Sequence, residues 1–174
     1  MVSARSATVA DLPVVLELVH LKAAFDGVPN SVAATEQTLR EGLFSAPPQA
    51  EVLLAELDGQ VIGMASFHAH YSTFIAKPGI WLDDLFIKDG FRNQSAGEVL
   101  MVRLAEICLA RGGGRIEWSV AARNESGIRF YERIGATVLQ GSTLTRLSEE
   151  ALQRLARRSQ APDAADHPLT EDTR

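Results

Sequence analysis

Two side chains of one predicted helix have the spacing and the chemistry of an active-site pair. Asn124 and Tyr131 lie seven residues apart, close to two helical turns, so both project from about the same helix face. A phenol can donate a proton to a developing anion while it stays neutral at pH 7. The alternative is an aromatic packing residue with a solvated hydroxyl. The pair therefore indicates either a groove with a proton donor or a packed helix face.

A tight turn with the sequence FRNQSAG, residues 91–97, precedes another predicted helix. Free backbone N–H groups and the positive end of the dipole make such a helix start a binding place for phosphate. Short glycine motifs recur by chance, so the turn alone is a weak signal. The strand before it and the apolar helix after it favour an anion-binding turn.

Two histidines, His68 and His70, alternate along a predicted strand and share one face of it. This pair raises the hypothesis of a metal site. Two isolated imidazoles make a poor site, and the sequence offers no third ligand with compatible spacing. We therefore predict no metal.

The elements that must position these residues follow from periodicity and turn signals. Helix signals are Asp11 as an N-cap with Pro13 in the first turn, and three glycines after residue 111. Asp58-Gly59 predicts a tight hairpin. The predicted strands are 5–9, 51–57, 60–70, 80–88, 115–120 and a final strand or strands in 137–147; the later helices are 35–44, 95–111, 124–133 and 147–158. This order predicts an α/β domain with a mixed sheet flanked by helices.

Composition narrows the function classes. The chain has 174 residues, 46% of them apolar, which suits one domain at residues 1–158, with a polar, disordered tail at 159–174. A net charge of −5 argues against a nucleic-acid partner and suits cationic ones. Cys108 is the single cysteine, so no intrachain disulfide is possible and a reducing compartment is favoured. We expect Cys108 in the core. No segment predicts a membrane span or leader, so we expect a cytoplasmic protein without a membrane partner.

These motifs resemble the GNAT superfamily of acetyl-CoA-dependent N-acetyltransferases. The residues that carry the resemblance are LDDLFI at 82–87 and NESGIRFYERIGA at 124–136, which are most similar to the diamine (spermidine/spermine-type) branch. The resemblance covers roughly residues 5–155. It implies a GNAT-type mixed, largely antiparallel sheet flanked by helices, with a splayed strand pair that receives the cofactor.

The resemblance also implies a site for acetyl-CoA. In the family the pyrophosphate lies on an Arg/Gln-x-x-Gly-x-Gly/Ala turn. Arg92 and Gly97 match its ends, and Ser95 stands where the middle glycine is expected. The pantetheine arm pairs with the backbone of residues 85–87, whose side chains are also explained as buried strand residues. The implied cofactor-binding residues are Leu85, Phe86, Ile87, Arg92, Asn93, Gln94, Ser95, Ala96, Gly97, Glu98 and Asn124.

The catalytic residues implied by the resemblance are Tyr131, which protonates the departing CoA thiolate, and Asp83, which matches a family glutamate that removes the amine proton. Asp83 is one methylene shorter, which favours a water-mediated role. Asp26 matches an acidic position that faces the cationic end of the substrate. The alternative for each acid is a solvated surface charge. The implied substrate-binding residues are Phe25, Asp26, Asp83 and Trp118.

The resemblance therefore implies transfer of an acetyl group from acetyl-CoA to a primary amine of a small cationic substrate: a polyamine, a diamine or a lysine-like compound. It also implies a homodimer. The alternative is a catalytically weak or silent GNAT-fold module that serves as a binding or regulatory dimer. Ser95 and Glu98, which depart from the phosphate-turn pattern, motivate that alternative.

Overall fold

A computed structural model describes residues 1–141 and 143–158 of the chain. They belong to two compact units, Met1–Thr137 and a second that begins at Val138. The elements of the first unit are β1 (Val2–Ser6), α1 (Leu12–Phe25), α2 (Glu36–Leu43), β2 (Glu51–Leu57), β3 (Gln60–Ser72), β4 (Lys77–Ile87), α3 (Ala96–Ala110), β5 (Ile116–Trp118) and α4 (Glu125–Arg133). The second unit contains α5 (Glu149–Arg157). None of the described helices is long and apolar enough to cross a membrane.

The five strands form one sheet in the order β1-β2-β3-β4-β5. The first four are antiparallel neighbours, and β5 runs parallel to β4. β2 and β3 are joined at Asp58 and Gly59, whose φ angles of 50° and 81° have the positive sign that the tightest hairpins require. The predicted mixed, largely antiparallel sheet is confirmed.

The sheet is packed on both faces, because neighbouring residues of a strand point to opposite sides. Leu53 belongs to a core with α3, and Leu54 belongs to a second core with α1. We call these sides the α3 face and the α1 face. The α3 core includes Leu100, Leu104 and the buried Cys108, as predicted for that cysteine.

The start of α1 is fixed to the sheet by ion pairs. Arg5 of β1 donates to both carboxylate oxygens of Asp11 at 2.7 and 2.8 Å, and to Glu56 at 2.8 Å. The hydrogen bond from Arg5 holds the pKa of the Asp11 carboxyl well below its usual range. Asp11 is also the N-cap of α1, with Pro13 in the first turn, as predicted. At the other end of this helix, Lys22 and Phe25 contact β4, and Asp26 is the C-cap.

The prediction of a final strand at 137–147 is wrong: residues 137–141 and 143–147 contain none. The apolar side chains of this segment are exposed, so no buried face stabilises an extended conformation. Gly141, with φ 86°, also interrupts the extended backbone. The predicted strand 115–120 is real but short, since β5 ends at Trp118. The predicted tail, 159–174, lies outside the described residues.

Candidate active site

β4 and β5 separate at one edge of the sheet, where β5 is the last strand. β5 pairs with β4 only at Ile80, Trp81 and Leu82. Beyond Leu82, the β5-side edge of β4 has no strand partner among the described residues. Phe86 is 6% exposed, and its neighbours 85 and 87 are half-buried. The side chains of this segment therefore serve the core, while its open edge offers backbone groups to a ligand that carries amides.

A β-bulge marks the point where the strands separate. Ser66 lies opposite Asp84, but the next residue, Phe67, lies opposite Leu82, so Asp83 is an extra residue in β4. A bulge changes the direction of nearby side chains. Ser66 is on the α1 face, two residues from buried Met64, and its hydroxyl lies 3.4 Å from Asp84.

The bulge gives the α1 face two consecutive carboxylates. Asp83 Oδ2 lies 2.9 Å from Nδ1 of His68. Asp84 Oδ1 lies 3.2 Å from Nζ of Lys22, which also pairs with Asp26. Burial lowers the pKa of Lys22, but its bonds and charges with Asp26 and Asp84 outweigh burial and raise it above its usual value. The ammonium group of Lys22 therefore forms ion pairs with two of the acids, Asp26 and Asp84.

Tyr131 of α4 lies close to this charge. Its ring packs against Trp118, with centroids 4.7 Å apart, and against Phe130 at 5.1 Å. Burial, and then the negative charge of Asp84, raise the pKa of Tyr131 to about 12. The hydroxyl therefore keeps its proton at neutral pH, as a proton donor must.

The turn before α3 has a left-handed backbone. Asn93 has φ 64°, and Ser95, the N-cap of α3, has φ 62°. Glycine enters this region without steric cost, whereas serine does not. The first amides of α3 have no intrahelical acceptor. Gly97 has a separate packing role, because a Cβ there would lie 3.3 Å from the ring of Phe130.

An open groove of about 570 Å³ lies beside α3, β5 and the end of α4. Its lining is mostly apolar, with one acid and one base. The lining residues are Glu98, Met101, Val102, Ala105, Ile116, Trp118, Arg133, Ile134, Gly135 and Ala136. Within residues 1–141 and 143–158, no group of three or more His, Cys, Asp or Glu side chains is arranged to hold a metal ion.

Residues 18–136 match the acetyltransferase (GNAT) family. The chain belongs to this family. It is therefore an acetyl-CoA-dependent N-acetyltransferase, and the sequence-based family prediction is confirmed.

Two curated relatives of this GNAT chain are amine acetyltransferases by name. An L-ornithine N5-acetyltransferase of Arabidopsis thaliana is 28% identical, over 87% of this chain and 86% of the relative. A thialysine N-epsilon-acetyltransferase of Bos taurus is 27% identical, over 87% and 95%. An integron cassette protein of V. cholerae has the same fold, with a TM-score of 0.73 at 24% identity over 90% of this chain and 98% of that one.

The GNAT site fits acetyl-CoA at two places on this chain. The open edge of β4 after Leu82 can pair with the amides of the pantetheine arm. The start of α3 presents free amides and a positive dipole end to the pyrophosphate. Glu98 lies in the first turn of that helix and adds a negative charge there.

Two residues of the predicted phosphate turn make contacts inside the protein. The guanidinium of Arg92 lies 4.6 Å from the ring centroid of Phe25, and it pairs with Asp89 at 3.0 Å. The side-chain amide of Gln94 donates to the carbonyl of Gly90 at 3.2 Å. Arg92 thus connects the turn to the end of α1, where the predicted substrate residue Phe25 lies.

Asn124 serves α4 directly. Its side-chain oxygen accepts the amide of Gly127 at 3.0 Å and the hydroxyl of Ser126 at 3.2 Å. The glycine is needed, because a Cβ there would lie 2.6 Å from Asn124. The Asn124 cap therefore positions the helix that carries Tyr131.

The structure divides the predicted substrate residues between the two faces. Trp118 lies opposite Leu82 on the α3 face, against Tyr131, whereas Asp26 and Asp83 lie on the α1 side. Trp81, one residue from Leu82, is the tryptophan that shares a face with His68.

Two charged residues of the site, Asp84 and Lys22, were absent from the residues predicted from sequence. The consecutive acids Asp83 and Asp84 could have indicated a β-bulge, because neighbouring strand residues share a face only at a bulge. Lys22 had a weaker signal: it lies four residues before Asp26, the spacing of a helical ion pair.

Proposed function

We propose that this chain transfers the acetyl group of acetyl-CoA to a primary amine of a small cationic substrate: a polyamine, a diamine or a lysine-like compound. The observation that carries the proposal is the pair of carboxylates at the β4 bulge, Asp83 and Asp84, with the second near enough to raise the pKa of Tyr131. The names of the curated relatives, which act on ornithine and thialysine, support this substrate class.

The cosubstrate supplies an acetyl group activated as a thioester. The residues that would hold it are the backbone of 85–87 at the open strand edge and the turn at 92–98 before α3. Tyr131 gives its proton to the departing sulfur, since its raised pKa keeps it protonated. Trp118 packs on the Tyr131 ring and limits its motion.

The carboxylates of the α1 face attract the protonated amine of the substrate. Carboxylates bind an ammonium group by charge and hydrogen bonding, and they assist its deprotonation. Asp83 and Asp84 are at the bulge, and Asp26 is further along this face at the end of α1. Lys22 forms ion pairs with Asp26 and Asp84, so it competes with a substrate cation for these acids.

An initial-rate assay of CoA release tests the proposed function. The acceptor panel contains diamines, ornithine, lysine, thialysine, aminoglycosides and lysine peptides, with mass spectrometry of the products. We expect the small aliphatic diamines and lysine-like compounds to have the highest kcat/KM. Turnover confined to aminoglycosides or peptides would reject the substrate class, and no turnover with any acceptor would favour a silent module.

The predicted homodimer and cytoplasmic location stay predictions, as does the single domain at residues 1–158. Light scattering of the purified protein measures the assembly: twice the chain mass supports a homodimer, and the mass of one chain rejects it.

A further inference from the structure

The pairing of His68 with Asp83 has a specific consequence for proton removal. Nδ1 of His68 lies 2.9 Å from Oδ2 of Asp83, and both side chains are about two-fifths exposed. Among the described residues, Asp83 is the partner of this ring in every hydrogen bond and ion pair. When Nδ1 carries the proton and donates to Asp83, Nε2 has a free lone pair and is the basic nitrogen.

The location of the pair matches the chemistry. Asp83 is the extra residue of the β4 bulge, next to Asp84, and the charge of Asp84 reaches Tyr131. His68 lies beside the bulge on the α1 face, opposite Trp81. The imidazole of His68 therefore lies next to the Asp83 carboxylate, close to the point where β4 and β5 separate. The ring is exposed enough for water to reach it.

We infer that His68 is the catalytic base that removes the amine proton and that Asp83 is a positioning residue that orients its ring. The inference rests on the proposed function and changes the role of Asp83 within it. A carboxylate that faces Nδ1 fixes the tautomer of a histidine and keeps the imidazolium stable once it forms.

The proton balance closes with two side chains. The substrate ammonium loses two protons overall, as its nitrogen bonds to the acetyl carbonyl carbon and the carbon–sulfur bond breaks. One proton passes to Nε2 of His68 and then to solvent. The other replaces the proton that Tyr131 gives to the departing sulfur.

Several other ionisable groups lie on the α1 face with His68. Asp84 extends from β4, Lys22 extends from α1, and Asp26 is the C-cap of α1. His70 lies two residues along β3 on the same face, where its Nε2 is 3.3 Å from Glu117 of β5. None of these groups is altered in the test variants, so a change in the pH profile isolates the His68–Asp83 pair.

The test compares His68→Gln, Asp83→Asn and the parent by the pH dependence of kcat with a saturating diamine. Ionisation of the free amine is common to all variants, so differences between profiles report on the enzyme. We expect His68→Gln to lower kcat about 100-fold and to lose the acidic limb of the parent's pH profile. Asp83→Asn should lower kcat about tenfold but retain that limb, because the base is still present.

The matched control is His20→Gln, the same substitution at an exposed position of α1, which should behave as the parent. CoA affinity and melting temperature report on folding. Imidazole added to His68→Ala should restore part of the lost rate. An unchanged kcat and pH profile in His68→Gln, or no rescue by imidazole, overturns the inference while the proposed function stands. A parent without turnover rejects the proposed function and this inference together.

Discussion

The rings of Trp118 and Tyr131 lie with their centroids 4.7 Å apart, at the end of β5 and on α4. This contact links the last residue of the short strand to the proposed proton donor. It also explains how one hydroxyl on a helix is held near the place where β4 and β5 separate. Because the contact is made by the two rings, the role of the hydroxyl can be separated from the role of the ring.

Tyr131→Phe keeps the ring against Trp118 and removes the hydroxyl. We expect kcat to fall about 100-fold, because the sulfur then departs without a proton donor, while CoA affinity changes little. Steady-state kinetics and calorimetric titration with CoA measure the two quantities. Equal turnover in the variant and the parent would show that Tyr131 is only a packing residue.

The ionisation of Tyr131 can be observed directly, since the chain has two tyrosines. The difference in tyrosinate absorbance between the parent and Tyr131→Phe should have its midpoint at a pKa of about 12. In Asp84→Asn the midpoint should move down, although burial keeps it above the ordinary value of about 10. The contribution of Tyr131 to the free energy of unfolding is complete below pH ~10, and it is lost as pH rises through the folded-state pKa. A midpoint near pH ~10 in the parent would contradict the buried position.

The phosphate turn gives a prediction about affinity. Ser95 has φ 62°, so Ser95→Gly removes strain, and Glu98→Ser removes a negative charge from the first turn of α3. We expect the double variant to bind CoA about tenfold more tightly, equivalent to about 1.4 kcal/mol. The two single variants, titrated by calorimetry, separate backbone strain from charge.

The same double variant should leave the stability of the free protein almost unchanged. Glycine at a left-handed position stabilises by about 1 kcal/mol, whereas loss of Glu98 from the helix start costs about 0.3 to 1 kcal/mol. Unchanged or weaker CoA affinity would show that this turn does not hold the pyrophosphate.

Lys22 gives a prediction about specificity. Its ammonium pairs with both Asp26 and Asp84, so Lys22→Gln leaves two uncompensated acids on the α1 face. We expect KM for diamines to fall about threefold or more, with little change for monoamines. The matched control is Lys88→Gln, whose lysine is similarly buried and pairs with Glu17 at 2.8 Å. A higher diamine KM in Lys22→Gln but not in Lys88→Gln would show that Lys22 orders this face for binding.

Most of the fold could be predicted from local patterns. The Asp58-Gly59 turn, the Asp11 cap with Pro13 and the Asn124 cap each produced the structure that their residue types favour. The strand prediction was wrong for residues 137–141 and 143–147, because strand propensity requires a packed face and the apolar side chains there are exposed. Strand propensity alone does not predict whether a segment is buried.

The site was harder to predict than the fold, because its geometry depends on register. One extra residue in β4 decides that Asp83 and Asp84 share a face with His68, and register is set by pairing between distant strands. For the same reason the sequence could not show that the pairing of Trp118 with Leu82 places it on the α3 face; its role toward the substrate stays a prediction. Helical spacing within α4 needs no partner strand, so the position of Tyr131 on this helix could be predicted from the sequence, while its catalytic role stays a prediction.

A comparison of diaminobutane with pentylamine as acceptors tests whether the acidic α1 face selects a cationic substrate. The two molecules have similar lengths, and they differ in the second cation of the diamine, which Asp26 and Asp84 are proposed to bind. We expect kcat/KM to be about tenfold higher for the diamine than for pentylamine, and the ratio to be near one in Asp26→Asn. Equal kcat/KM for both acceptors in the parent protein would contradict recognition of a second cation.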